Sequence, residues 1–222
     1  MPITSKRLSR RLAGGVLVSC VLASQSGCVL PLVSNVMHAV GADRVPPKFD
    51  GLEKSRVAII TMTDRSRYSE DINARLMSRK LGEVLLEKVD DVRIVREDEV
   101  QQWRDTHGWE NEDLAELGGD LKADLVLAIQ LRDLKLREGA TLYRGSANVI
   151  VQVVDPADGS ELFRHEIDDF MYPKTAGQYT TETTETKFRK LYLSMLARQV
   201  GRLFHPYDFA ETIALDGAIA SQ

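Results

Sequence analysis

The stretch RVAIITMTD, residues 56–64, is apolar at nearly every position and rich in β-branched side chains, which is the composition of a strand buried on both faces. Such a strand needs packed layers on either side. The run SEDINARLMSRKLGEVLLEKV follows it, placing Ile72, Leu76, Leu81, Val84, Leu85 and Val89 near helical spacing with charged residues between them. VRIV, residues 92–95, then reads as a second short strand. The crossover between the two strands is long enough for a parallel pair, so the domain opens as a β-α-β unit.

Downstream, EDEVQQWRD from Glu97 and ENEDLAELGGDL from Glu110 read as two helical pieces, with HGW at 107–109 between them. Gly118 and Gly119 are expected to stop the second piece as a turn. ADLVLAIQLRDLKL, residues 123–136, is a strand that puts Leu127, Ile129 and Leu131 on one face and Leu134 and Leu136 on the other. A bulge near Arg132 and Asp133 would reconcile the two halves.

LYRGSANVIVQVVD, residues 142–155, aligns Ala147, Val149, Val151 and Val153 on one face, and turn residues 155–159 (DPADG) lead into SELFRHEIDDFMY. This pair is the antiparallel part of the sheet. After the polar patch TTETTET, the run KFRKLYLSMLARQVGRLF carries Phe188, Leu191, Tyr192, Met195, Val200 and Leu203 mostly along one side of a helix. Glu182 and Glu185 near its start, with Arg198 and Arg202 near its end, suit the helix dipole. The expected order is β-α-β-α-α-β-β-β-α. That order specifies an α/β sandwich of two or three layers with one mixed sheet.

The amino-terminal region has another texture. Lys6, Arg7, Arg10 and Arg11 precede LAGGVLVSCVLA, residues 12–23, and small residues follow. A helix of that apolar length reaches only about 18 Å, short of the roughly 30 Å bilayer core. The order of basic lead, apolar run and small residues matches a secretory signal. LVSCVLASQSGC, residues 17–28, holds both cysteines. Small residue followed by cysteine resembles the signal of bacterial lipoproteins, in which that cysteine becomes the acylated first residue. Cys28 is favoured because it leaves a full apolar run before it, although Gln25 stands where an apolar residue is usual. Cys20 is the alternative, and an ordinary cleaved signal is a third reading. The expected division is a signal at 1–27, a tether at 28–51, an interaction domain at 52–205 and a tail at 206–222.

The chain of 222 residues is 43% apolar and 28% charged, with net charge -4, ordinary for one folded domain. Four of its 29 bases stand in the first eleven residues, leaving 25 against 33 acids. That balance gives no general attraction to nucleic acid. His38, His107, His165 and His205 are widely spaced, without an H-E-x-x-H or C-x-x-C pattern, so no metal site is expected. TMTDRSRYSED contains no phosphate-binding glycine motif, and no cofactor is expected. Asp155, Asp158 and Glu161 lack full EF-hand spacing and read as a turn. Glu166, Asp168 and Asp169 read as a solvated strand surface rather than general acid/base machinery.

RVAIITMTD, VRIVREDEV, LAELGGDLKADLVLAIQL and YRGSANVIVQVVDPADGSELF, in this order, resemble a superfamily of bacterial envelope proteins. It includes the curli-secretion lipoprotein, the lipoprotein activators of penicillin-binding proteins and the amino-terminal domain of the Tol-Pal translocation protein. The resemblance covers about residues 53–204. It implies an α/β sandwich, an assembly or interaction role in the envelope, multiple acylation and an outer-membrane address facing the periplasm. It supplies no catalytic residue. The expected role is therefore non-enzymatic, with an envelope protein as partner and homo-oligomerisation as a further prospect. The alternatives are an oligomeric secretion component and an exported ligand-binding domain or enzyme.

Two candidate surfaces accompany that expectation. Asp64, Arg65 and Arg67 follow the carboxyl end of the first strand, a favoured ligand position in α/β sheets, and the arginines suit an anionic group. The competing reading is a solvated loop. Trp103 and Trp109 flank the link between the helical pieces and suit either a partner surface or core packing.

Overall fold

The structure is a computed structural model that describes residues 44–64, 69–174 and 177–208. Its elements are β1 (Arg44–Val45), β2 (Arg56–Thr63), α1 (Ile72–Lys88), β3 (Arg93–Ile94), α2 (Glu97–His107), α3 (Leu114–Asp120), β4 (Leu125–Glu138), β5 (Leu142–Val154), β6 (Glu161–Tyr172), β7 (Gln178–Tyr179), α4 (Glu185–Gly201) and β8 (Tyr207–Asp208). The main sheet runs β3-β2-β4-β5-β6, with β7 beside β5, while β1 and β8 form a separate two-stranded sheet. β2 is parallel to β3 and β4, whereas β4, β5 and β6 form an antiparallel meander. The fold is thus α/β with one mixed main sheet. Only the two-residue strands β1, β7 and β8 add to the expected order.

Both faces of β2 are buried. Val57 and Ile59 face a core with Met77, Leu81 and Leu85 of α1 and Tyr192, Leu193 and Leu196 of α4. Ala58, Ile60 and Met62 face a second core with Val100 and Trp103 of α2 and Leu117 of α3. The question of two layers or three therefore has a local answer. Three layers stack over β2 and the start of β4, and two continue along the meander.

α1 begins where Asp71 accepts a hydrogen bond from the Asn73 amide at 2.7 Å. Of its expected stripe Leu76, Leu81 and Leu85 are buried, while Val84 is half-buried and Ile72 is 61% exposed. The second helical piece starts at Leu114 rather than Glu110, since Asp113 caps it through the amides of Ala115 and Glu116. Gly118 and Gly119 lie inside this helix, contrary to the expected turn. A Cβ on Gly118 would stand 2.5 Å from Pro156 Cβ and 2.7 Å from Val126 Cγ2, so the glycine permits close approach of helix to sheet.

The register of β4 and β5 shifts between Arg132 and Lys135, and Asp133 has φ +53°. Leu134 and Leu136 consequently join the same core as Leu127, Ile129 and Leu131. Of the further register shifts, one falls between Ala147 and Val149, opposite Phe170 and Ile167, with Asp169 at φ +45°. Asn148 lies between the two irregularities. Its Nδ2 donates to Asp133 Oδ2 at 3.1 Å, and its Oδ1 accepts from the Asp169 amide at 2.8 Å. Aspartate tolerates this left-handed backbone better than most residues, and bulges bend and twist the strands that carry them.

The bent end of the meander closes on α4. Tyr192 is fully buried and donates its hydroxyl to the Phe170 carbonyl at 3.0 Å. Burial first, then the nearby Asp169 charge, raises its pKa well above the ordinary tyrosine value. A Cβ on Gly145 would stand 2.0 Å from Tyr192 Cδ2, so this glycine makes the room for the ring.

Within residues 46–51, placed in the tether by sequence, Lys48 and Phe49 contact the rest of the domain. Lys48 and Phe49 donate their amides to the Leu203 carbonyl. The Phe49 ring lies 5.4 Å from Phe163 and 6.4 Å from Phe204. Apolar contact fixes this segment although it has no period of its own.

Candidate functional site

The carboxyl end of β2 is tied to the start of α1. Asp71, 9% exposed, accepts from the Thr63 hydroxyl at 2.7 Å while capping the helix with its other oxygen. Asp64 lies just beyond this knot and is exposed. It borders a groove of about 540 Å³ whose other walls include Asn73, Asp133, Arg137, Glu185 and Arg189.

Charge in this groove is held in fixed directions. Arg137 donates to Glu185 Oε2 through Nε and Nη2 at 3.2 and 3.0 Å, and Arg189 donates to Oε1 at 2.7 Å. The Arg137 guanidinium also lies 4.9 Å over the Tyr143 ring and donates to its hydroxyl at 3.1 Å. One carboxylate thus orients two arginines. Such a wall favours recognition by charge and shape. Among the described residues its lining contains no histidine or cysteine, and of its three carboxylates Glu185 is already occupied by the two guanidiniums.

A second groove, of about 430 Å³, lies between the start of α1 and α2, with Glu70, Arg75, Glu97 and Trp109 among its walls. Arg75 bridges Glu70 at 2.8 Å and Glu97 at 3.1 Å. These two acids, the Glu70 hydrogen bond first, raise the Arg75 pKa. Trp109 is half-buried, with the Arg104 guanidinium 4.5 Å over its ring and donating to its carbonyl at 2.8 Å. Arg104 itself is 3% exposed, and loss of water lowers its pKa against the raising effect of Glu112.

The three described candidate surface residues, Asp64, Trp103 and Trp109, do not come together. Asp64 and Trp109 line different grooves. Trp103 is 5% exposed and belongs to the second core, so it packs rather than presents a surface. Its Nε1 donates to Asp120 Oδ2 at 2.9 Å, and its ring stacks on His107 at 4.5 Å. Arg65, Arg67, Cys20 and Cys28 lie outside the described residues.

The acidic stretches are placed simply. The 155–159 turn closes through the Gly159 amide on the Asp155 carbonyl, and Asp155 and Asp158 side chains accept from Ala157 and Ser160 amides. Glu166 is exposed and pairs with Arg164 at 3.1 Å. Spacing alone did not single out one convergence. His107 at the end of α2 meets Glu116 and Asp120, which stand one turn apart on α3. The only local sign was the four-residue step from Glu116 to Asp120.

Among the described residues no helix is long and apolar enough to cross a membrane. The outer face of β5 and β6 carries polar residues, including Asn148, Gln152, Arg164 and Glu166, that are half-buried or exposed. Leu162 and Met171 are exposed on β6. Helices α2 and α3 contribute to the core over β2 and β4, not to one over β6.

No family model matches the chain, and no curated protein matches it. Among solved structures it is similar to lipoprotein GNA1162 from Neisseria meningitidis, with 12% identity, a TM-score of 0.43 and coverage of 66% of this chain and 97% of that one. The PelC dodecamer from Paraburkholderia phytofirmans gives 11% identity and a TM-score of 0.40, covering 72% of this chain and 93% of that one. The LpoB C-terminal domain from Salmonella enterica gives 12% identity and a TM-score of 0.37, covering 62% and 91% respectively. Bacterial lipoproteins are thus among the structural neighbours of this chain, at low identity.

Proposed function

We propose that this chain is a lipid-anchored envelope protein whose α/β domain serves as a non-enzymatic interaction factor for another envelope protein. The anchor is Cys28, acylated after removal of residues 1–27, and the domain faces the periplasm from the outer membrane. The observation that carries the interaction role is the one-sided cover of the meander. Among the described residues, β6 has exposed Leu162 beside Arg164 and Glu166, and exposed Met171 near its other end, a mixture of apolar and charged groups suited to a partner surface. The export reading rests on the basic lead, the short apolar run and the small residues before Cys28. A lipid supplies membrane attachment without a spanning helix, and stable retention takes more than one chain.

Intact-mass measurement of membrane-extracted protein tests the anchor. The expected species begins at Cys28 and carries acyl chains; an unmodified Cys28, or another amino terminus, overturns that placement. Gentle crosslinking and affinity purification from the native membrane tests the role. Reproducible recovery of one envelope protein is expected, with crosslinks on β6. Recovery of ring-sized assemblies of this chain alone would instead favour a secretion component.

A further inference from the structure

His107, Glu116 and Asp120 are the one group of three histidine or acidic residues among the described residues whose potential ligand atoms all lie within 4.8 Å of one another. We propose that they bind a divalent transition-metal cation, with Zn²⁺ as its representative. Imidazole nitrogen with two carboxylate oxygens is a donor set for such ions, and three protein ligands leave a fourth position for water.

The three side chains are oriented from outside the trio. His107 Nδ1 lies 3.0 Å from the Trp103 carbonyl. With its proton there, Nε2 keeps its lone pair and faces Asp120 Oδ2 at 3.3 Å. The same Asp120 Oδ2 accepts from Trp103 Nε1 at 2.9 Å, which fixes the carboxylate beside the imidazole. Glu116 Oε2 accepts from Asn111 Nδ2 at 2.9 Å, which leaves Oε1. Fixing each ligand by a hydrogen bond from a neighbour is how metal sites set tautomer and direction.

The rings contribute rigidity. Trp103 is buried and stacked within 12° of parallel on His107, so the imidazole cannot swing away without losing that contact. A tetrahedral centre with bonds of about 2.1 Å separates its ligand atoms by roughly 3.4 Å. Closing the trio onto an ion therefore takes movements of no more than about 1.4 Å. Exposed carboxylates on a short helix make that a side-chain adjustment. The competing account is a simple ion pair between a protonated His107 and Asp120 at the end of α2.

Zn²⁺ titration of the full chain without an affinity tag, followed by calorimetry, distinguishes the two accounts. The expected result is one bound Zn²⁺ whose affinity falls at least about tenfold in His107→Gln and in Glu116→Gln. Asn111→Ala touches no metal but releases Glu116, and is expected to weaken binding about tenfold as well. Circular dichroism of each variant reports whether the fold is retained, and Glu116→Gln, on the surface, keeps the test usable if His107→Gln unfolds. Equal affinity in the wild type, Glu116→Gln and Asn111→Ala overturns the proposal. So does Zn²⁺ binding that disappears in Cys20→Ser/Cys28→Ser but survives Glu116→Gln.

Discussion

Across β4 the sheet changes the way it is supported. On the side of β3 and β2, alternate residues enter two different cores, one under α1 and α4 and one under α2 and α3. On the side of β5 and β6, inward residues such as Val151, Phe163 and Phe170 meet the first core, while Gln152, Arg164 and Glu166 face outward. The first side therefore depends on apolar volume. The second depends on where its strands bend, since two bulges must return Leu134, Leu136 and Phe170 to the same face as the residues before them.

The largest expected loss comes from the doubly covered side. Leu127→Ala, at a fully buried position, is expected to cost about 3 kcal/mol in chemical denaturation. Gly145→Ala tests the bend: its new methyl meets Tyr192, and a loss of about 2 kcal/mol is expected. A neutral result there would mean that the meander can shift away from α4. Asn148→Ala removes both bonds between the bulges and is expected to cost about 1 kcal/mol, with faster amide exchange at Asp169. Leu162→Ser, on the outward face, is expected to stay within about 0.5 kcal/mol. A larger loss would show that this face is covered in the intact protein.

One prediction separates charge from packing on the same side. Lys48 Nζ donates to His165 Nε2 at 3.2 Å, and burial followed by the lysine charge lowers the His165 pKa below its ordinary 6.5. Between the two values the unfolded chain binds more protons than the folded one, so stability falls as pH drops from 6.5 through the lowered value. The difference in stability between wild type and His165→Gln, measured across that window, is expected to shrink on acidification. A difference independent of pH would remove the linkage.

Much of this was legible locally. The apolar run at 57–62 announced burial on both faces, and the parity change from Leu131 to Leu134 announced the bulge at Asp133. The same parity change runs from Ile167 to Phe170, with Asp168 and Asp169 between, and was open to the same argument. Candidate surfaces were less legible. Trp103 and Trp109 are six residues apart, yet one closes a core and the other lines a groove. Which direction each takes depends on how α2 turns into α3, where Gly108 has φ +93°.

The sequence by itself determined the order of elements, the helix stripes, the mixed sheet and the bend in β4, because periods of 2 and 3.6 residues are local consequences of backbone geometry. Only the tertiary structure decided that two bulges share Asn148, that Phe49 docks on the domain, and that His107 meets Glu116 and Asp120. Those encounters depend on how separate elements pack. A side chain's local period fixes the face it occupies on its own element, while the packing of layers fixes what that face meets.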